Sequence, residues 1–148
     1  MKKAAGFYLT AASGVMTIIA LIVYIINCQT AYFSKSGLNP LIIAGGILAV
    51  ISEAIYLKYS ADDEKRKLAD AAIVISGVSI TVCLITFIGS RVYGAASIMT
   101  FEMSEQNLAD LTGAFIGIGI CFAAFLMTII SSFMASYKKI EIKEEAVN

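Results

Sequence analysis

The sequence predicts an all-α membrane protein, with four transmembrane helices in an antiparallel, left-handed bundle. Three observations carry this expectation. First, 59% of the 148 residues are hydrophobic and 15% charged, with a mean hydropathy of +0.83. Soluble domains hold about 45–50% apolar and about 25% charged residues. Second, four apolar stretches reach the length that crosses a bilayer, which is roughly 20 residues. Third, small and polar residues recur along each stretch in alternating steps of three and four. That is a seven-residue repeat, which puts them on one helix face and favours left-handed packing. The whole chain reads as one integral membrane domain, 1–148.

The first helix is expected over residues 4–26. It follows MKK, as in a secretory signal, but its apolar run exceeds the usual 7–15 residues of a signal and no A-x-A site follows. It is therefore read as an uncleaved span. The second covers 40–59, with Pro40 at its start, where proline is tolerated. The third covers 69–89, with Asp62 or Asp63 as its N-cap. The fourth covers 111–135, preceded by a polar helical extension capped by Ser104 or Asn107. Residues 27–39 and 90–110 are left as outer loops, 60–68 as a cytoplasmic loop and 136–148 as a cytoplasmic tail.

Orientation follows from the positive charges. Nine of the 11 Lys and Arg residues fall on the side of the termini, and only Lys35 and Arg91 on the other. Both termini and the 60–68 loop are expected in the cytoplasm, in a bacterial-type inner membrane.

In lipid, helices associate through small residues and interhelical hydrogen bonds. The first seam is Gly6, Thr10, Ser13, Thr17, Ala20, Tyr24 and Asn27. The second is Gly46, Ala49, Glu53, Tyr56 and Ser60. The third is Ala72, Ser76, Ser79, Cys83, Thr86 and Ser90. The fourth is Gly113, Gly117, Cys121, Ala124, Thr128, Ser131 and Ala135. Ile18, Leu21, Ile22, Phe122, Leu126, Ile129 and Phe133 are expected to face lipid. Gly113 and Gly117 form a GxxxG that seats helix four against a neighbour in preference to making a dimer.

Glu53 reads as the only acid or base deep in an apolar segment. It lies about 9 Å in from Tyr59. Thr10, Ser13, Ser76 and Ser131 count to a similar depth, so the expected role is a carboxyl hydrogen-bonded to hydroxyls that pins the inner half of the bundle. An ion or proton site is the sharper alternative, since an intramembrane ionisable residue is a functional candidate.

Other chemistry is thin. There is no His, and Cys28, Cys83 and Cys121 lack zinc-ligand spacing. Cys83 and Cys121 count to different depths, about 9 and 15 Å from the outer end. No cofactor, metal site, catalytic residue or nucleic-acid partner is expected, the net charge being zero. Tyr32, Phe33, Tyr93 and Phe101, with Met99 and Met103, anchor the interface or form an outer docking surface. The expected partners are the bilayer and another membrane protein, or a second copy of the chain. The expected function is that of a non-enzymatic accessory or scaffold subunit; the alternative is a small oligomeric transporter or channel using Glu53.

Overall fold

Pro40 opens the second helix as the sequence suggests. Asn39 caps it with its side-chain oxygen on the Leu41 N–H at 3.0 Å, and proline fills the first turn. The computed structural model describes residues 2–138, and Lys139, Lys143 and most of the tail expected at 136–148 lie outside them. The helices are α1 (Ala5–Asn27), α2 (Pro40–Tyr59), α3 (Arg66–Thr100) and α4 (Glu105–Ser132). All four are long and apolar enough to cross a membrane. This is a multi-pass, all-α membrane protein built as a four-helix bundle.

Successive helices run antiparallel and pack in a ring. α2 lies mainly on α3 and α1 mainly on α4, and the pairs α3–α4 and α1–α2 close the circle. The two ends of the described chain, Lys2 and Lys138, meet at one end of the bundle, the proximal end. The η turn Phe33–Ser36 and the α3–α4 turn lie at the other, distal end. The proximal end is tied by a two-residue antiparallel ladder, Lys2 against Lys138 and Lys3 against Tyr137. The Ala4 N–H donates to the Ser136 carbonyl at 2.9 Å, and the Tyr56 hydroxyl meets Ser136 Oγ at 2.7 Å.

Gly6 makes this tie sterically demanding. A Cβ there would stand 2.8 Å from the Met134 carbonyl oxygen and 2.9 Å from that of Ala135. Backbone atoms cannot step aside as a side-chain tip can. Gly6→Ala is expected to cost about 1–3 kcal/mol. Faster hydrogen exchange at the Ala4 amide, read with a lowered melting temperature in detergent, checks it.

Two expected boundaries change. Residues 90–110 are not a loop: α3 runs unbroken to Thr100 and α4 begins at Glu105, leaving a short turn. Nothing in RVYGAASIMT breaks a helix, because polarity ends a membrane span without ending helical hydrogen bonding. At 35 residues α3 is about 52 Å long, against a hydrocarbon layer of about 30 Å. α3 is therefore longer than a straight crossing of that layer requires. Asp62 and Asp63 do not cap α3: Lys65 precedes its first residue with no side-chain cap. Asp62 instead accepts from the Glu64 N–H at 3.1 Å within the preceding turn. Ser104 caps α4, accepting from the Asn107 N–H at 3.1 Å.

The α1 seam is buried residue for residue as expected. In α2, Ile42 and Ser52 join the buried face and Ser60 is only half-buried. In α3 the distal half turns differently: Phe87 and Arg91 point inward, while Thr86 and Ser90 are half-buried. In α4, Ala135 falls beyond the helix and is exposed. Ile18, Ile22, Phe122, Leu126, Ile129 and Phe133 face outward. Leu21 does not, because its methyl groups lie over Gly46 of α2.

Gly117 is buried, and a Cβ on it would sit 3.0 Å from Phe87 Cζ and from Val23 Cγ1. It seats α4 against α1 and α3. Gly113 is half-buried, and a Cβ on it would sit 3.6 Å from the Asn27 amide nitrogen, an ordinary contact. Cys83 and Cys121 are level rather than staggered. Counted from the observed helix ends at Thr100 and Glu105, both lie about 25 Å in. They share one packed cluster, with their thiols facing each other.

Candidate functional site: two buried polar centres

The proximal centre is built on Glu53, which is 2% exposed. Its Oε1 accepts from Ser13 Oγ of α1 at 2.5 Å and from Thr128 Oγ1 of α4 at 3.0 Å. Ser76 of α3 lies beside the carboxyl. Four helices thus meet at one carboxyl group. Oε2 and Ser76 Oγ are both buried without a hydrogen-bond partner.

Of the residues expected in this layer, Ser13 and Ser76 are there. Thr10 and Ser131 are fully buried but serve their own helices, Thr10 donating to the Gly6 carbonyl at 2.9 Å and Ser131 to the Thr128 carbonyl at 3.0 Å. Thr128 takes the place expected of Ser131. The reason is the end of α4: it stops at Ser132, three residues short of the expected 135. Depth counted back from the true end lands one turn deeper.

The distal centre is built on Arg91, also 2% exposed. Glu53 is therefore not the only ionisable group inside the bundle. Arg91 Nε donates to Asn27 Oδ1 at 2.9 Å, and its Nη2 to Cys28 Sγ at 2.8 Å. The guanidinium stacks among three rings, 4.5 Å from Phe33, 5.3 Å from Tyr24 and 5.9 Å from Phe87. Asn27 passes the network on, its Nδ2 donating to the Asp110 carbonyl at 2.8 Å. Asp110, 4% exposed, accepts from the Tyr32 N–H at 3.0 Å and from Gln106 Nε2 at 2.9 Å. The Tyr24 hydroxyl accepts from the Asn39 N–H at 2.7 Å and fixes the entry to α2.

Arg91 and Asp110 had a visible signal. Ile80, Leu84, Phe87 and Arg91 continue one face of α3 in steps of four and three. Asp110, Ala114, Gly117 and Cys121 do the same in α4. Small-residue spacing alone passes over the first, and polarity across 90–110 masks the helical repeat of both.

Next to this centre is a distal crevice of about 830 Å³. Tyr32, Phe33, Tyr93 and Phe101, the expected docking residues, all line it, with Lys35, Glu102 and Ser97 among the others. They are not equivalent. Tyr93 and Phe101 are each 86% exposed, Tyr32 is half-buried, and Phe33 is 1% exposed beneath Arg91. Phe33 is a core residue rather than a contact surface, because a ring stacked on a desolvated guanidinium has to exclude water.

Fold and site together define a class: a compactly packed, multi-pass helical membrane protein with a polar centre buried toward each end. No protein-family model, curated protein or solved structure matches this chain.

Proposed function

We propose that this protein is a non-enzymatic accessory or scaffold subunit that binds another membrane protein through its distal crevice. The observation that carries this reading is the crevice itself, with two aromatic rings standing almost fully exposed at its rim. Large rings held on a rigid helix end are the residue type that anchors protein contacts. The polar groups behind them are spent on holding the wall: Asp110 and Arg91 fasten the Tyr32–Phe33 segment to α1, α3 and α4. The asymmetry of Lys and Arg supports a distal face turned away from the cytoplasm. A cysteine at Ser36 labelled from outside, with one at Ser60 protected, is the outcome expected of that orientation.

The test is purification in gentle detergent. A larger membrane protein is expected to co-purify in fixed ratio. Tyr93→Ala with Phe101→Ala should reduce its recovery on the order of tenfold or more, as loss of aromatic anchors does. The lipid-facing Phe122→Ala should not. A chain that purifies alone, or a double variant that keeps its partner, overturns the reading.

A second reading, a small oligomeric transporter, is favoured by one observation, the bare Oε2 of Glu53. It requires a cation- or proton-coupled flux in liposomes that Glu53→Gln abolishes while assembly is intact.

A further inference from the structure

The hydrogen bonds around Glu53 are lopsided. Oε1 takes two hydroxyls, those of Ser13 and Thr128, while Oε2, equally buried, takes none. The Ser13 contact, at 2.5 Å, is the shorter of the two hydrogen bonds to Oε1. Ser76 Oγ of α3, beside the same carboxyl, is fully buried and also lacks a partner. Native proteins rarely leave buried polar atoms unpaired, and a pair of them in one layer points to a ligand that serves both. Their chemistry is selective. Both are hard oxygen ligands, and one belongs to a group that needs positive charge once removed from water.

No Lys or Arg among the described residues forms an ion pair with Glu53. Lys58 lies toward the proximal end of α2, with its ammonium over the Tyr59 ring at 5.3 Å. Arg91 is committed to the distal centre. The α1 side of Oε2 is kept open by Gly14, where a Cβ would stand 2.8 Å from that oxygen. The hydroxyl oxygens of Ser13 and Thr128 keep lone pairs after donating their hydrogens. One carboxylate oxygen and three hydroxyls, from four helices, therefore converge on a small volume.

We propose that the Glu53 layer binds one dehydrated alkali cation of sodium size, held between Glu53 Oε2 and Ser76 Oγ and completed by the Ser13 and Thr128 hydroxyls. The ion neutralises the buried carboxylate and joins all four helices. It stands whether or not the distal crevice binds a partner, and whether or not the ion is ever moved across the membrane.

The test is thermal unfolding of the full chain in detergent across a sodium chloride series, with choline chloride holding ionic strength constant. A ligand that binds only the folded state stabilises it in proportion to the logarithm of its concentration. Above the dissociation constant, the melting temperature should rise by about 3–5 °C for each tenfold increase in sodium. Binding of radioactive sodium should saturate near one ion per chain. Glu53→Gln removes the charge with little change of shape and should abolish both responses. If that variant does not fold, Ser76→Ala and Gly14→Ala, which touch the site from α3 and α1, should each weaken sodium binding at least tenfold. Equal melting in sodium and choline overturns the proposal. So does a sodium response that survives these substitutions. A melting temperature that follows pH and ignores sodium would assign the charge to a proton and overturn it equally.

Discussion

Arg91→Ala is expected to lower stability by about 3 kcal/mol, the largest loss for any single truncation in the distal half. Three effects combine. The deleted side chain leaves a hole under Tyr24, Phe33 and Phe87, and holes of that size cost about 2–5 kcal/mol. Asn27 Oδ1 loses its donor, and a buried acceptor left unpaired costs about 1–3 kcal/mol. The desolvated stacking of the guanidinium, about 2 kcal/mol at a buried ring, also goes. Against these stands the relief of no longer burying a charge, several kcal/mol in the opposite sense. The net sign follows from the partners, because Arg91 is bonded through Nε and Nη2 and stacked among three rings, and its removal strands Asn27. A fall in melting temperature of about 6–12 °C is the expected reading in detergent. Arg91→Lys should recover less than half of it, since an ammonium has neither the plane that stacks on Phe33 nor the spacing that reaches Asn27 and Cys28 together. An Arg91→Ala variant within about 1 kcal/mol of the parent would show that the network is not what holds the distal end.

That network also explains why the two polar centres behave differently. Arg91 acts through Asn27, which holds α3 on one side and the Asp110 carbonyl of α4 on the other. Residues in one hydrogen-bonded chain do not contribute additively. Removing Asn27 in an Arg91→Ala background should cost less than removing it alone.

The membrane class, the number of helices and the α1 seam were legible because they depend on local periodicity. Gly6, Thr10, Ser13, Thr17, Ala20, Tyr24 and Asn27 repeat at the helical interval, and burial in lipid selects that face. What was not legible depends on where helices end. The α3 helix continues to Thr100 because its distal residues, although polar, still form helical hydrogen bonds. That extension moved Arg91 from a loop into the core and, with the earlier start of α4 at Glu105, brought Cys83 level with Cys121. The three-residue shortening of α4 moved the Glu53 contact from Ser131 to Thr128. Depth is counted from a helix end, so an error of one turn there replaces every expected cross-helix partner. The place of Asp110 on the buried face of α4 follows from its spacing to Ala114, Gly117 and Cys121; its partner, the Tyr32 N–H 78 residues away, does not.

Glu53→Ala should cost about 3 kcal/mol in sodium-free buffer, and Glu53→Leu should cost far less or even stabilise. What each neighbour does when the carboxyl is gone decides the difference. Ser13 has a second acceptor in the Thr10 carbonyl at 3.0 Å, and Thr128 has one in the Ala124 carbonyl at 2.9 Å. Neither hydroxyl is stranded, in contrast to Asn27 at the distal centre. What Ala removes is volume in a layer where Ser13, Ser76, Thr128 and Ser131 are all buried, and an unfilled space of that size costs about 2–5 kcal/mol. Leu restores the volume and removes a buried charge, an exchange that is often neutral or favourable by about 1–4 kcal/mol. Comparing the two variants by thermal unfolding separates filling from hydrogen bonding. If Leu and Ala are equally damaging, the carboxyl's bonds to Ser13 and Thr128 hold the layer. If Leu matches the parent without sodium and falls behind it with sodium, the carboxyl is retained for the cation it binds and the stability of the bundle rests on packing.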